Sequence, residues 1–297
     1  MAVKTPPQTE TLHSGAIGLD LRPDTDILSQ FLDSQKRALD VMSSALPSIA
    51  AAAELTVKSI RDGGTLHYAA AGSSALMGLA DGAEIPGTFG VDAGRIAIHM
   101  AGGVPLGGSM PGHTEDDSTT ALAAAETVKS DDVVIAISAS GSTPYPLAFA
   151  QKAKQHGASV ISISNNIGTP LLELADVQIH LNTPPEIIAG STRLGAATAQ
   201  KVALNMISTL TGIRLGHVFD GMMVNLIADN DKLRGRAAGI VTQITGASSD
   251  VAQDCLQQAN GAVKPAVLLA AGAKSLQQAN KIIEQTNGDL RAALQHL

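Results

Sequence analysis

A dense cluster of hydroxyl side chains occupies residues 138–146, which read SASGSTPYP. Pro144 suits the first position of a helix, because its missing N–H would be unpaired there in any case. Thr143 is then the predicted N-cap, and Gly141 lets the backbone approach a ligand closely. Together with the free N–H groups of the helix start, this loop would bind an anion or a sugar. A capped helix after an ordinary polar turn fits the same residues, so the loop alone leaves both interpretations open. The hydroxyl groups of the predicted site belong to Ser138, Ser140, Ser142 and Thr143.

Two more polar loops lie beside predicted elements of the sheet domain: the first follows the first strand, and the second precedes the long helix. They are residues 70–78 (AAGSSALMG) and residues 190–193 (GSTR). Ligands of open α/β sheets lie beyond the carboxyl ends of the strands, so we expect all three loops to share one site. The binding residues predicted in these two loops are Ser73, Ser74, Ser191, Thr192 and Arg193.

The loop that starts at Gly72 also raises the question of dinucleotide binding. Its sequence, GSSALMG, does not match the G-x-G-x-x-G fingerprint, and no acidic residue ends a clear second strand about 20 residues later. We therefore expect a sugar or a sugar phosphate as the ligand, and no nucleotide cofactor.

Two carboxylates stand out from the remaining acidic residues. Glu84 lies in DGAEIPGTFG and Glu115 in PGHTEDDSTT, about one βα unit apart. Such a pair can act as general acid and general base if the surroundings separate the two pKa values. The alternative is that Glu84 is a surface residue and that Glu115 interacts with the dipole of the next helix.

The elements that position these residues are predicted from hydrophobic patterning. Short apolar runs without polar alternation are typical of parallel strands that are buried on both faces. Their alternation with helical segments predicts an α/β fold with a doubly wound, mostly parallel five-stranded sheet. The predicted strands are Thr65–Ala71, Arg95–Met100, Asp132–Ser138, Ala158–Ser164 and Val177–Leu181. The predicted helices lie near 75–86, 117–129, 144–156, 169–175 and 195–214.

The two ends of the chain differ from this central part. Residues 1–62 are predicted to form an arm and two helices that pack on the sheet domain, residues 63–236. In the tail, residues 237–297, LQQANGAVKPAVL and IEQTNGDLRAAL align at an offset of 27 residues. Each Asn-Gly would end one helix before a short second helix, so the tail is predicted to be a small helical domain with a duplicated unit.

The composition excludes several classes of partner. Of the 297 residues, 44% are hydrophobic, and the net charge is −7 without a clustered basic patch, which argues against nucleic-acid binding. The single cysteine, Cys255, fits a reducing compartment. We see neither the apolar core of a signal peptide nor an apolar stretch of about 18 residues. We therefore expect a cytoplasmic protein with no membrane partner.

Several of these stretches also resemble a known family. The chain is similar to bacterial N-acetylmuramic acid 6-phosphate etherases and to the related glucokinase regulatory protein, which contain the sugar isomerase (SIS) domain. The resemblance starts near Thr9 and is most specific between Gly190 and Arg236. The matching stretches are AEIPGTFGV, TEDD, SASGSTPY, GSTRLGAATAQKVALNMISTL and GHVFDGMMVNLIADNDKLRGRA.

The resemblance implies a flavodoxin-like SIS fold and an etherase that uses no cofactor and no metal. In the family, the open-chain aldehyde acidifies the C2 proton, one glutamate removes it, and another protonates the lactyl oxygen that leaves C3. Water then adds, giving N-acetylglucosamine 6-phosphate and D-lactate. By motif position, Glu115 would be the base and Glu84 the acid, which burial would keep protonated. Glu186 matches an acidic position near the site, where it would bind the substrate, and a homodimer with its site near the interface is implied.

Three positions depart from the family pattern. Leu76, Ser142 and Gly195 stand where basic residues are usual. Charge-assisted hydrogen bonds are about twice as strong as neutral ones, so we expect weaker phosphate binding and a less anionic substrate, unless Arg193 or His113 compensates. Two other functions stay open: a non-catalytic sugar-binding regulator of a partner enzyme, and an aldose–ketose phosphate isomerase.

Overall fold

A computed structural model describes residues 7–107, 109–228 and 230–297 of the chain. Five parallel strands form one sheet in the order β2-β1-β3-β4-β5, which confirms the predicted fold class. The strands are β1 (Leu66–Ala70), β2 (Ile96–Met100), β3 (Val133–Ser138), β4 (Ser159–Ser164) and β5 (Val177–His180). Each lies within the range predicted for it and is shorter by one or two residues.

Helices alternate with these strands, and after a short hairpin only helices are found in the described residues up to the C-terminus. The helices of the N-terminal and sheet regions are α1 (Asp24–Leu39), α2 (Met42–Arg61), α3 (Gly72–Phe89), α4 (Ser118–Ala125), α5 (Pro144–Gln155), α6 (Pro170–Leu174) and α7 (Gly195–Arg214). Those that follow are α8 (Asp231–Thr245), α9 (Ser249–Gln258), α10 (Val263–Ala271), α11 (Leu276–Gln285) and α12 (Leu290–Gln295). Between α7 and α8 lies a two-stranded antiparallel hairpin, Val218–Phe219 and Met222–Met223.

Burial explains why the strands read as continuous apolar runs. Every residue of β1 and of β3 is buried, and β3 pairs with β1 on one side and β4 on the other. Helix α5 supplies Phe149, which is fully buried beside Val134 and Ala136 of β3. Because all five strands are parallel, their carboxyl ends meet at one edge, and the loops that carry the predicted site leave from that edge.

The chain divides into two compact units. The first comprises the described residues up to Gly82 together with Gly94–Ser208, and the second comprises Ala83–Ala93 with Thr209–Leu297. The sheet belongs to the first unit. In the second unit, Val224 and Leu226 share a hydrophobic core with the C-terminal helices, so this unit starts earlier than the tail domain predicted at residue 237. The predicted division into residues 1–62, 63–236 and 237–297 stays a prediction.

The duplicated helical tail is present in the second unit. Asn260-Gly261 follows α9 and Asn287-Gly288 follows α11, and all four residues have positive φ between 51° and 83°. The left-handed conformation ends each first helix, as the Asn-Gly pairs predicted. Ser275 caps α11 by accepting a hydrogen bond from the Gln278 amide at 3.2 Å.

No single described helix has the length and apolar character of a membrane span. Helices α1 and α2 meet that test of length and composition only as a pair that is bent by 49°.

Candidate active site

The hydroxyl cluster forms a compact network at the carboxyl end of β3. Ser138 Oγ lies 2.8 Å from Thr143 Oγ1 and 3.2 Å from Ser140 Oγ, and it accepts a hydrogen bond from the Gly141 amide at 3.0 Å. Ser138 is buried, whereas Ser142 is exposed and donates its hydroxyl to Ser140 Oγ at 3.3 Å. The network therefore holds the loop in shape while Ser142 faces outward.

Pro144 opens α5 and Thr143 is its N-cap residue, as predicted. The Thr143 hydroxyl, however, makes no capping bond to the helix; it turns back to Ser138 and Ser140. The expectation that this hydroxyl closes the helix start is therefore wrong. Pro144 and Pro146 carry no N–H, and the Leu147 amide donates to the Thr143 carbonyl at 3.3 Å, so the first turn contributes little beyond the Tyr145 amide. The anion-binding interpretation of this loop therefore depends on its hydroxyl groups.

Glycine is the residue type that fits position 141 of the loop. Its φ is +70°, and a Cβ atom there would lie 2.3 Å from Thr169 Oγ1 and 2.5 Å from Ser164 Oγ. Both neighbours are buried and belong to the end of β4 and the start of α6. The glycine thus allows the loop to lie directly on the neighbouring strand end.

Glu115 lies against the start of α3. It belongs to a 3-10 turn, Gly112–Asp116, that packs on α5, and its Oε1 would be 2.5 Å from a Cβ atom at Gly72. The side chain is half-buried, and burial, followed by the charge of Asp116, raises the pKa of the Glu115 carboxyl. Ser73 and Ser74 form the first turn of α3 beside it. The turn that carries Glu115 therefore lies against the start of α3 and against the helix that follows the hydroxyl loop.

The third loop, GSTR, leads directly into α7. Ser191 and Thr192 are half-buried and Arg193 is exposed. The buried Glu186 accepts hydrogen bonds from the amides of Gly195 at 2.9 Å and Ala196 at 2.8 Å. Burial raises the pKa of Glu186, while these two backbone hydrogen bonds oppose the shift. Both carboxylate oxygens thus hold the start of α7, which is a structural role. The predicted role of Glu186 in substrate binding stays a prediction.

An N-terminal arm fastens two of the loops to each other, and sequence reasoning missed this. Asn166 accepts a hydrogen bond from the Gln8 amide at 2.8 Å and donates to Thr9 Oγ1 at 3.1 Å and to the Ala139 carbonyl at 2.9 Å. The Thr9 carbonyl in turn accepts from the Gly190 amide at 3.1 Å. The polar run Ser164-Asn165-Asn166 at the end of a strand was the available signal.

Glu84 is placed differently from the other predicted residues. It lies on α3, twelve residues after Gly72, in the second compact unit, and its side chain is exposed. The predicted burial of Glu84 is therefore not supplied by the residues that surround it in this chain.

The three departures from the family pattern leave few cations at these loops. Ser142 is exposed, and a Cβ atom at Gly195 would lie 3.2 Å from Glu186 Oε2. Arg193 and His113 are both exposed. Among the described residues no group of three or more His, Cys, Asp or Glu side chains could hold a metal ion.

Known proteins are similar to this chain in sequence and in fold. Residues 30–165 match the SIS domain family. Over 291 residues the chain is 38% identical to N-acetylmuramic acid 6-phosphate etherase 2 of Bacillus licheniformis, an alignment that covers 97% of this chain and 98% of that protein. The N-acetylmuramic acid 6-phosphate etherase of Deinococcus radiodurans is 37% identical over 292 residues, covering 97% and 95%. This chain belongs to the N-acetylmuramic acid 6-phosphate etherase family.

Solved structures support the fold of this etherase family member. A protein of Escherichia coli CFT073, solved in complex with a ligand, has a TM-score of 0.51 at 20% identity, covering 65% of this chain and 94% of that one. A putative phosphosugar isomerase of Bacteroides fragilis has a TM-score of 0.52 at 18% identity, covering 67% and 95%. At these identities the likeness concerns the SIS fold alone.

Proposed function

We propose that this protein is an etherase, a carbon–oxygen lyase that removes the lactyl group from an amino sugar of the N-acetylmuramic acid 6-phosphate type. The base takes the C2 proton, the C3–oxygen bond breaks as a C2–C3 double bond forms, and lactate leaves with a proton. Water then adds its hydroxyl to C3 and a proton to C2. We place this reaction in the cytoplasm, in the recycling of peptidoglycan.

The position of Glu115 is the observation that carries the proposal. Its carboxylate lies at the start of α3, in a turn that packs on the helix following the hydroxyl loop. A base is most effective when its pKa lies near the working pH, and burial raises the pKa of Glu115 in that direction. The carboxylate is thus suited to removing a weakly acidic carbon-bound proton.

The hydroxyl loop supplies the complementary binding group. The hydroxyls of Ser140, Ser142 and Thr143 offer donors to a phosphate or to sugar hydroxyls. Because Ser142 contributes no positive charge, we propose that phosphate binds through neutral donors and more weakly than an arginine would allow. A less anionic sugar acid would fit the same loop.

We propose that the proton donor Glu84 comes from a second copy of the chain in a homodimer. Glu84 follows Gly72 by twelve residues on α3, and twelve residues of α-helix rise about 18 Å. Glu115 lies at the first residue of that helix, Gly72, whereas Glu84 lies towards its other end. Burial at a dimer interface would also provide the desolvation that keeps this exposed carboxyl protonated.

Exposed leucines of the first unit support such a dimer. Leu12, Leu21, Leu28 and Leu32 are 65%, 84%, 62% and 55% exposed. Leu28 and Leu32 are four residues apart on α1 and therefore share one face of that helix. Two exposed leucines on one helix face are suited to an interaction with a partner surface.

Mixing two inactive variants tests both the residues and the dimer. Glu84→Gln and Glu115→Gln should each release almost no D-lactate from N-acetylmuramic acid 6-phosphate. After subunit exchange, half of the dimers would be mixed and each would keep one intact site, so about a quarter of the wild-type rate should return. A mixture as inactive as its components, although exchange is shown by mass, would refute the shared site.

A further inference from the structure

The helices that follow the five strands begin at the edge of the sheet that carries the candidate site. These helices are α3, α4, α5, α6 and α7, one after each strand. The free N–H groups of a helix start are the usual binding place for a phosphate. What occupies each of these starts therefore bears on whether the substrate carries a phosphate.

The starts of α3 and α7 each lie beside a glutamate of this chain. Glu115 Oε1 would be 2.5 Å from a Cβ atom at Gly72, the first residue of α3. The Glu186 carboxylate accepts hydrogen bonds from the amides of Gly195 and Ala196, the first two residues of α7. A carboxylate is itself the charge that a helix start prefers, so a phosphate would have to compete with both glutamates.

The starts of α4 and α6 are also satisfied within the chain. Asp117 caps α4, because its carboxylate accepts a hydrogen bond from the Thr120 amide at 2.9 Å. Helix α6 begins with Pro170, which has no N–H, and the Leu171 amide donates to the Gly141 carbonyl at 3.1 Å. Neither start leaves its first N–H groups free for a ligand.

Helix α5 starts beside the hydroxyl loop with few N–H groups and a negative charge nearby. Pro144 and Pro146 are its first and third residues. Burial raises the pKa of the Tyr145 hydroxyl, and the charge of Asp117 adds to that shift, so the Asp117 carboxylate acts on this helix start. A phosphate bound there would be repelled by the same carboxylate.

The hydroxyl loop itself suits a neutral group better than a dianion. A hydroxyl has one hydrogen to donate and two lone pairs that accept. Ser142 donates its hydrogen to Ser140, and the hydroxyls of Ser138, Ser140 and Thr143 lie 2.8 to 3.3 Å from one another. Part of their hydrogens is thus used within the loop. A sugar hydroxyl can donate to the remaining lone pairs, whereas a phosphate dianion can only accept.

The charges of the surrounding loops fit a substrate with one negative charge. Residues 70–78, 101–117, 138–146 and 182–194 contain a single Lys or Arg, Arg193, and four carboxylates, Glu115, Asp116, Asp117 and Glu186. A phosphate monoester carries a charge of about −1.5 to −2 at pH 7, in addition to the charge of the lactyl carboxylate. One exposed arginine can pair with the carboxylate alone.

We propose that the preferred substrate carries no phosphate and is a lactyl amino sugar with a free C6 hydroxyl, N-acetylmuramic acid itself. This inference rests on the proposed etherase reaction, in which the phosphate forms and breaks no bond. N-acetylmuramic acid and water give N-acetylglucosamine and D-lactate by the same proton transfers. The 6-phosphate is a slower substrate, because every helix start at this edge is occupied or lacks N–H groups.

The rate of D-lactate release from N-acetylmuramic acid and from its 6-phosphate tests the proposal on the full chain. The unphosphorylated sugar should have a kcat/KM about tenfold or more above that of the 6-phosphate. Ser142→Arg places a cation on the hydroxyl loop and should shift this ratio about tenfold towards the 6-phosphate. Ser130→Arg, the same change at an exposed serine in the turn before β3, should leave the ratio unchanged.

A second variant removes a charge and keeps the fold. Asp117→Asn keeps an oxygen that can cap α4 and should shift the ratio several-fold towards the 6-phosphate, since asparagine is also a good N-cap. Ratios that both Ser142→Arg and Asp117→Asn leave unchanged would overturn the proposal.

The proposal and the etherase reaction fail in different ways. D-lactate release with a kcat/KM for the 6-phosphate equal to or above that for the free sugar would overturn the phosphate preference and leave the etherase standing. No release from either sugar would refute the etherase. Titration calorimetry with N-acetylglucosamine and its 6-phosphate then tests the preference without turnover, and tighter binding of the 6-phosphate would overturn it.

Discussion

At the scale of single residues, the site combines one carboxylate with a loop of neutral donors. Glu115 gains basicity because it is half-buried beside Asp116, while the hydroxyl loop gains its shape from Gly141 and its donors from Ser140, Ser142 and Thr143. Each of these residues was predicted from the sequence, because residue type and position after a strand suffice to suggest them. Their packing neighbours were not predictable, since Gly72 beside Glu115 and Thr169 beside Gly141 come from distant segments.

The pH dependence of catalysis should report the ionisation of Glu115. The base must be deprotonated, so kcat/KM should fall as pH drops through a Glu115 pKa that lies above its ordinary value of 4.5. A pH–rate profile measures this acid limb. In Asp116→Asn the limb should move to lower pH, because the charge of Asp116 contributes to the shift. A wild-type limb at or below the ordinary value would contradict this role.

Substitution of Gly141 should disrupt the loop. In Gly141→Ala the new methyl group would clash with Thr169 and Ser164, and alanine would have to adopt an unfavourable positive φ. We therefore expect the unfolding free energy to fall by about 2–4 kcal/mol. Gly168→Ala is a matched control, because its φ is +63° and nothing lies within 4 Å of the added atom. Urea denaturation compares the two, and equal losses would show that the close packing has no effect.

At the scale of elements, the strands and sheet helices followed the predicted pattern because their apolar periodicity is local. Helix α3 starts at Gly72, three residues before the prediction, because the glycine turn itself begins the helix. The two-stranded hairpin at Val218–Met223 was missed, since two-residue strands carry no periodicity. The contact of the arm with Asn166 was missed too, because it joins residues 158 positions apart.

Removal of the Asn166 side chain should release the arm. In Asn166→Ala three hydrogen bonds are lost, those to Gln8, Thr9 and Ala139, so the backbone amides near Gln8 should exchange hydrogen faster. Thr9→Val removes a single one of these bonds and should have a smaller effect. Hydrogen exchange followed by mass spectrometry measures both. Unchanged hydrogen exchange in Asn166→Ala would show that Asn166 does not hold the arm in place.

At the scale of the whole molecule, each compact unit contains histidines that burial keeps neutral. In the first unit, His67 lies 3.0 Å from His99 and 3.1 Å from Asp132. Burial lowers the pKa of His99 to about 4 and also lowers that of His67. In the second unit, His217 has a pKa of about 4 for the same leading reason.

Acid should therefore destabilise the protein before its carboxylates titrate. Below pH 6.5 these histidines bind protons in the unfolded chain, whereas in the folded protein they stay neutral. The unfolding free energy should therefore fall as pH drops from about 6.5 to 4, and His99 should contribute on the order of 2–3 kcal/mol to this loss. Denaturant titrations at several pH values measure this. His99→Gln should flatten the dependence, whereas the same change at the exposed His296 should not.

The central claim is that Glu115 removes the C2 proton of a lactyl amino sugar. The most direct measurement is the release of D-lactate from N-acetylmuramic acid 6-phosphate in heavy water, with deuterium at C2 of the sugar product determined by mass spectrometry. The wild-type protein should release lactate and incorporate one deuterium, and Glu115→Gln should lose both by a factor of about 10²–10⁴. Lactate release by Glu115→Gln at the wild-type rate, or a wild-type product without deuterium, would contradict the account.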